Sequence, residues 1–258
     1  MSPDAPVPPP APRNPSRPHK VADLPSRTAF AFDPIEDALA AFVRGEFVVV
    51  MDDEGRENEG DLLIAASEVS TEKMAWLIRY SSGYVCIALP GERLDELVIP
   101  MMVAENQDPH RTAYTVTIDY RIGTTTGISA HDRALTARAL ASPTSKPTQF
   151  SRPGHMVPLR ARPGGVLTRR GHTEAGVDLC EAAGLPRAAV LCEIVEDVDE
   201  GGEGGAGMMR RDGCRSFADR WGLKMISVEM LAEWRRKAGA GIRKGVVNGV
   251  ANGDAAKS

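Results

Sequence analysis

Cysteine is sparse in this 258-residue chain, and Cys86, Cys180, Cys192 and Cys214 are scattered without a C-x-x-C pair. That fits a reducing compartment rather than a disulfide framework, leaves no zinc-ribbon spacing, and makes most of the thiols small core residues. Long apolar runs are also missing. No stretch approaches the roughly 18 residues of a membrane span, and the N-terminus lacks the apolar core of a signal peptide, so a cytoplasmic protein is expected. Strong net charge is absent. At −4, with a pI near 5.8, the average field attracts neither nucleic acid nor anionic lipid, so both are excluded as general partners. No internal repeat is present. With 42% hydrophobic and 26% charged residues, the chain can bury a sizeable core as one large domain or two small ones.

Proline is abundant at one end only. Eight of the first twenty residues are proline, a composition that can neither build a ladder nor bury a core, so residues 1–32 are expected to form a disordered tail. From Gly239 the small, polar, aperiodic stretch to Ser258 predicts a second flexible tail, leaving 33–238 as the working domain. Inside it, Asp33 is a candidate cap for a helix starting at Pro34 and ending at Gly45. The runs "FVVVM", "LLIAA", "YVCIAL", "AYTVTIDY" and "AAVLCEIV" read as strands. A helix from Ser70, then "AHDRALTARALA", "TEAGVDLCEAA" and "CRSFADRWG", read as helices between them. This mixture predicts an α/β (α+β) fold: a single layered domain with a mixed β-sheet and surrounding helices. The segment "EDVDEGGEGGAGMMRRD" reads as a flexible, glycine-rich surface insertion.

One short loop concentrates the charge. "DDEGRENEGD", from Asp52 to Asp61, holds six carboxylates and one arginine directly after an apolar strand. Two carboxylates about 4 Å apart at an effective dielectric near 20 repel by roughly 4 kcal/mol, so the cluster requires a cation or ample water. With Gly55 and Gly60 opposing a helix, an extended backbone over 56–61 would send Glu57, Glu59 and Asp61 to one side and Arg56 and Asn58 to the other. Three converging carboxylates suit a hard divalent cation such as magnesium. From the charge count alone a solvated acidic turn is the commoner outcome, since most charge runs are solvated surface.

A second segment, "LTRRGHTEAGVDLC", pairs Arg169 and Arg170 with a glycine and a histidine. Thr173 is a natural cap for a helix beginning at Glu174, whose free N–H groups would make an anion site, and His172 can offer a neutral ring nitrogen to a metal. The glycine-bearing stretches "GTTTGISAHDR" and "SRPGHMVPLR", the latter with His155, read as loops offering hydroxyls and backbone donors, or simply as turns. Glu193 is an acid on the face of a strand otherwise carrying Leu191 and Val195, where burial would move its pKa towards that of a general base. A strand-edge acid reaching solvent is the alternative.

Together "DDEGRENEGDL", "TTTGISAHDRALTARAL", "RPGHMVPLRARPGGVLTRRGHTEAGVDLC" and "LCEIVED" resemble the 3,4-dihydroxy-2-butanone 4-phosphate synthases of riboflavin biosynthesis, of the monofunctional fungal type, over about 34 to 236. The resemblance implies a metal-dependent lyase that converts D-ribulose 5-phosphate into L-3,4-dihydroxy-2-butanone 4-phosphate and formate with Mg2+ or Mn2+, working as a homodimer. It implies Glu57 and His172 as metal ligands. It further implies Arg56, Asp61 and the turn Arg169, Arg170, Gly171, His172 and Thr173 as substrate and phosphate contacts. Glu193 and His155 match essential positions, and Glu59 and Cys86 match active-site positions; Asp61, Glu59, His155 and Glu193 are the candidates for proton transfer. Two other readings compete: a sugar-phosphate isomerase or aldolase that stops before formate, and a catalytically silent relative that binds partners through its proline-rich tail.

Overall fold

Four consecutive apolar residues, Val48–Met51 (β1), are all buried, a pattern that a strand covered on both faces satisfies. The computed structural model, which describes residues 8–197 and 205–238, sets β1 inside a mixed seven-stranded sheet. Before it lies α1 (Ile35–Val43); after it come β2 (Gly60–Ala65), α2 (Thr71–Arg79), β3 (Cys86–Pro90), α3 (Gly91–Glu96), β4 (Ile118–Tyr120) and α4 (Ala130–Ala141). The chain continues through β5 (Phe150–Ala161), α5 (His172–Ala182), β6 (Ala189–Glu193), α6 (Arg211–Trp221), β7 (Lys224–Ser227) and α7 (Val228–Ala238). The strand order is β4-β5-β3-β6-β2-β1-β7; β3 with β5 and β1 with β7 run parallel, and the other neighbours are antiparallel.

Strand alternation divides the interior into two cores. Val49, Met51, Leu62, Ile64, Ile87 and Val190 face one side, where α2, α4 and α6 supply Trp76, Leu140 and Phe217. Val48, Val50, Leu63, Cys86 and Leu191 face the other, against Phe42 of α1, Leu179 of α5 and Leu231 of α7. Each such fully buried side chain contributes about 1.5–3 kcal/mol. The result is the expected single α/β domain, with helices on both faces of the sheet.

Local differences from the sequence reading have physical causes. Ser70 and Ser129 cap α2 and α4 by accepting from Lys73 N–H at 3.1 Å and Asp132 N–H at 3.0 Å. Asp33 does not cap α1. Its carboxylate instead accepts from Arg215 at 2.6 Å and from Met225 N–H at 2.8 Å, joining α6 to β7. The stretch "SRPGHMVPLR", read as a turn, is the middle of the twelve-residue β5, because its polar half lies on exposed sheet while "MVPL" is buried.

Of the segment expected as a loose proline-rich tail, 1–7 lie outside the described residues. Residues 8–32 form neither helix nor strand, as their prolines require, yet they run along the body with defined contacts. Arg13 donates to the buried Glu68 carboxylate at 2.8 Å, Pro15 O accepts from Ser70 Oγ at 2.6 Å, and Arg27 pairs with Asp219 at 2.6 Å. The expected C-terminal tail, 239–258, and residues 198–204 of the glycine-rich insertion lie outside the described residues.

Candidate active site

β1 and β2 are antiparallel neighbours, so the acidic loop is their hairpin connection, and Asp52 organises it. The Asp52 carboxylate, with no exposed side-chain surface, accepts from Glu57 N–H at 3.2 Å, Glu59 N–H at 2.9 Å and Arg56 at 2.6 Å. The expected extended run over 56–61 does not form. Arg56 N–H and Asn58 N–H fold back onto Asp53 O at 2.9 and 3.2 Å, and Asn58 adopts φ +54. That turn brings Glu57 beside Asp52 and turns Glu59 towards Arg210, 3.9 Å away. Arg56 also pairs with Glu57, so one guanidinium neutralises two of the crowded acids. Burial works against its charge, but the bond to Asp52 and the proximity of Glu57 hold its pKa above the ordinary value. Arg210, near the end of the stretch read as a glycine-rich insertion, donates to Glu57 O at 2.6 Å and Asn58 O at 2.9 Å and pins the loop from outside.

The helix predicted to start at Glu174 with Thr173 as its cap begins two residues earlier, at His172, with Gly171 at the N-cap. This shift buries His172 against β1, where its Nε2 lies 3.1 Å from Val50 O. A carbonyl only accepts, so Nε2 carries the proton and Nδ1 keeps its lone pair. Nδ1 faces Asp61 Oδ1 at 3.4 Å and Glu57 Oε2 at 3.9 Å. Burial lowers the His172 pKa and keeps the ring neutral; burial first, then the charges of Glu193 and Glu57, raise that of Asp61 well above the carboxylate range. Lone pair therefore faces lone pair, and Asp61 Oδ1 is buried without a hydrogen-bond partner. Only a proton or a cation satisfies both. Asp52, Glu57 and His172 each offer a ligand atom within 4.8 Å of the others, a set of hard oxygens with one imidazole that suits magnesium or manganese.

Strand register adds Glu193 to the group. Asp61 on β2 pairs with Glu193 at the end of β6, so both acids sit on the α5 side of the sheet. Glu193 is half-buried and accepts from Ser82 Oγ at 3.0 Å; the acid that burial affects most is Asp61, whose neighbours the sequence could not supply. Glu59 is raised too, by burial and then by Glu57. Cys86 lies one strand from Glu193 at the start of β3, and burial, then Glu193, pushes its thiol well up, so it stands in the site as a neutral S–H. His155 does not join them. It sits on β5, three strands and about 14 Å from β2, and its ring turns the other way, to Asp119 on β4.

The arginine turn divides its labour. Arg169 donates to Glu174 at 2.6 Å, Thr112 Oγ1 at 3.0 Å and His110 O at 3.1 Å, which braces the start of α5 against the 108–112 loop. Gly171 lets the Arg169 guanidinium lie close against the backbone, since a Cβ there would push that group aside. Arg170 pairs with Glu229 of α7 and lines an adjoining cleft of about 240 Å³ with Phe30, Phe32 and Asp52. Thr173 is buried in the first turn. The sequence reading missed Asp52 as a candidate ligand and Glu174, Thr112 and Asp119 as supports; only Asp52 carried a signal, as the first polar residue after the apolar run.

Comparison with known proteins places the chain in a family. The 3,4-dihydroxy-2-butanone 4-phosphate synthase family profile matches residues 36–234. Proteins of that name from Schizosaccharomyces pombe and Candida albicans are 58% and 55% identical, spanning 78% and 80% of this chain and 96% and 98% of their own. A crystal structure of such a synthase in complex with two magnesium ions superposes with a TM-score of 0.77 at 53% identity, covering 81% of this chain and all of the other. A cation-free form gives 0.74 at 52%, covering 80% and 99%. This chain belongs to the 3,4-dihydroxy-2-butanone 4-phosphate synthase family of enzymes.

Proposed function

We propose that the chain converts D-ribulose 5-phosphate into L-3,4-dihydroxy-2-butanone 4-phosphate and formate in riboflavin biosynthesis, with Glu57 and His172 holding Mg2+ or Mn2+ beside Asp52. The observation that carries this reading is the His172 ring, tied by Nε2 to Val50 O while Nδ1 looks into a nest of buried carboxylates. The matched family and the magnesium-bound relative support it. A divalent cation in that nest supplies Lewis-acid stabilisation of negative charge on substrate oxygens and favours ionised carboxylates around it.

The chain's own groups do the rest. Asp61 and Glu59, both raised by burial and then by neighbouring acids, are the groups suited to take and return protons, and Glu193 faces the same space from β6. The N–H groups of Gly171, His172 and Thr173 at the positive end of α5 receive the phosphate, with Arg56 and the braced Arg169 adding cationic character. Arg170 contributes at the neighbouring cleft. Cys86 packs beneath as a neutral thiol. Remote phosphate binding then fixes the reacting carbons over the carboxylates.

The active form is a homodimer. Val98, Met101, Met102, Val103 and Ile128 are exposed apolar side chains of the kind an interface covers, and His155, on β5, stands three strands from β2 and away from the carboxylates of its own chain's nest. A second copy would bring it in. Placement in the cytoplasm is supported by four free, buried cysteines; no helix among the described residues is long and apolar enough to cross a membrane. The decisive test is formate release from ribulose 5-phosphate with magnesium, read through formate dehydrogenase. Wild-type protein should release one formate per sugar, and Glu57→Gln should be slower by at least about a hundredfold. Sugar consumed without formate would overturn the assignment.

A further inference from the structure

β4 and β5 do not pair in simple register. Ile118 faces Met156, yet the next residue, Asp119, faces Ser151, so residues 152–155 of β5 bulge out between them. Bulges re-aim side chains. This one folds so tightly onto β4 that a Cβ on Gly154 would collide with the Ile118–Asp119 peptide, and Thr117 Oγ1 holds the Gly154 N–H at 3.1 Å.

The bulge sets His155 on Asp119. Asp119 Oδ1 accepts the His155 backbone N–H at 2.8 Å, and Oδ2 lies 2.7 Å from Nδ1 of the ring. One carboxylate thus holds both ends of the residue. A loop closes over the pair: a Cβ on Gly127, whose φ is +96, would collide with Asp119 Oδ2 and come within 2.6 Å of His155 Nδ1. That loop is itself anchored, because Asp132 accepts from Thr125 N–H, Thr125 Oγ1 and Gly127 N–H at 3.1, 2.8 and 2.9 Å. The Asp119 side chain keeps 11% exposure and that of His155 40%, so the ring's far edge is open while its Asp119 edge is enclosed.

We propose that Asp119 is a positioning residue for His155: it fixes the ring with the proton on Nδ1, so that Nε2 presents the lone pair that exchanges protons with the substrate. The proposal rests on the preceding reading that His155 serves the reaction. An ionised carboxylate only accepts, which assigns the shared proton to Nδ1 and frees Nε2 as the base. The backbone bond makes this hold directional. In Asp119→Asn the amide oxygen must stay on the His155 N–H, which leaves the NH2 facing Nδ1 and forces Nδ1 to accept; Nε2 then carries the proton and the base is lost.

The test uses the full-length, magnesium-loaded protein with 15N-labelled histidine. Long-range 1H–15N spectra should show Nδ1–H at His155 in the wild type and Nε2–H in Asp119→Asn. The kcat for formate release should fall roughly a hundredfold in that variant, with KM changed by less than about threefold. In a His155→Gln background the same change should cost nothing further, because Asp119 acts only through the ring. Retention of the wild-type tautomer, a kcat within about twofold, or a further loss in the His155→Gln background would overturn the proposal. If the wild type releases no formate, the proton-transfer role falls with the reaction, while the tautomer spectra still judge the hold of Asp119 on the ring.

Discussion

Asp52 shows how one buried carboxylate can shape a loop and also join a candidate metal nest. Its oxygens take two backbone N–H groups and one guanidinium, and the turn they enforce carries Glu57 to His172. Asparagine there would keep an acceptor for one N–H while removing the charge. Asp52→Asn should therefore weaken Mn2+ binding by about 10- to 100-fold, measured by the loss of free-ion paramagnetic signal, with the fold intact. Affinity within twofold of wild type would remove Asp52 from the site. The pattern of acids in "DDEGRENEGD" was legible as a cation loop; which acids converge was not, because the turn at Asn58 breaks the alternation that an extended chain would follow.

At the scale of the element, residues 8–32 act as a strap. Arg13 reaches the buried Glu68 through its backbone N–H at 2.9 Å and its side chain at 2.8 Å, and also donates to Val43 O at 2.8 Å, linking α1 to the turn before α2. Further along, Lys20 lies over the Trp221 ring at 5.9 Å, and Trp221 belongs to the aromatic group of Trp76, Tyr80 and Phe217. Glu68 is 4% exposed, so losing its cation leaves a charge with little water. Arg13→Ala should lower the unfolding free energy by about 1–3 kcal/mol in urea titration and leave kcat unaltered. An unshifted urea midpoint would make the strap passive. Proline content foretold the lack of helix and strand, but docking sites contributed by residues more than fifty positions away have no local signature.

Over the whole molecule, sheet order decides what one chain can assemble. Strands β1, β2 and β6 are adjacent and unite Asp52, Glu57, Asp61 and Glu193 with His172, while β5 holds His155 at the far side of β3. If a second copy supplies it, co-expressed Glu57→Ala and His155→Ala chains should regain about a quarter of wild-type turnover, since half of randomly paired dimers carry one intact site. No gain over the separate variants would confine each site to its own chain. The sequence by itself determined the α/β class, the places of β1, β2, β3 and β6 though not their ends, and the two segments that meet at the nest, because burial pattern and side-chain chemistry are local properties. Only the tertiary structure decided that His172 opens its helix rather than precedes it, that Arg169 braces instead of standing free, and that His155 faces Asp119. Those outcomes follow from strand order and from the β5 bulge, which depend on pairings between residues far apart in the chain.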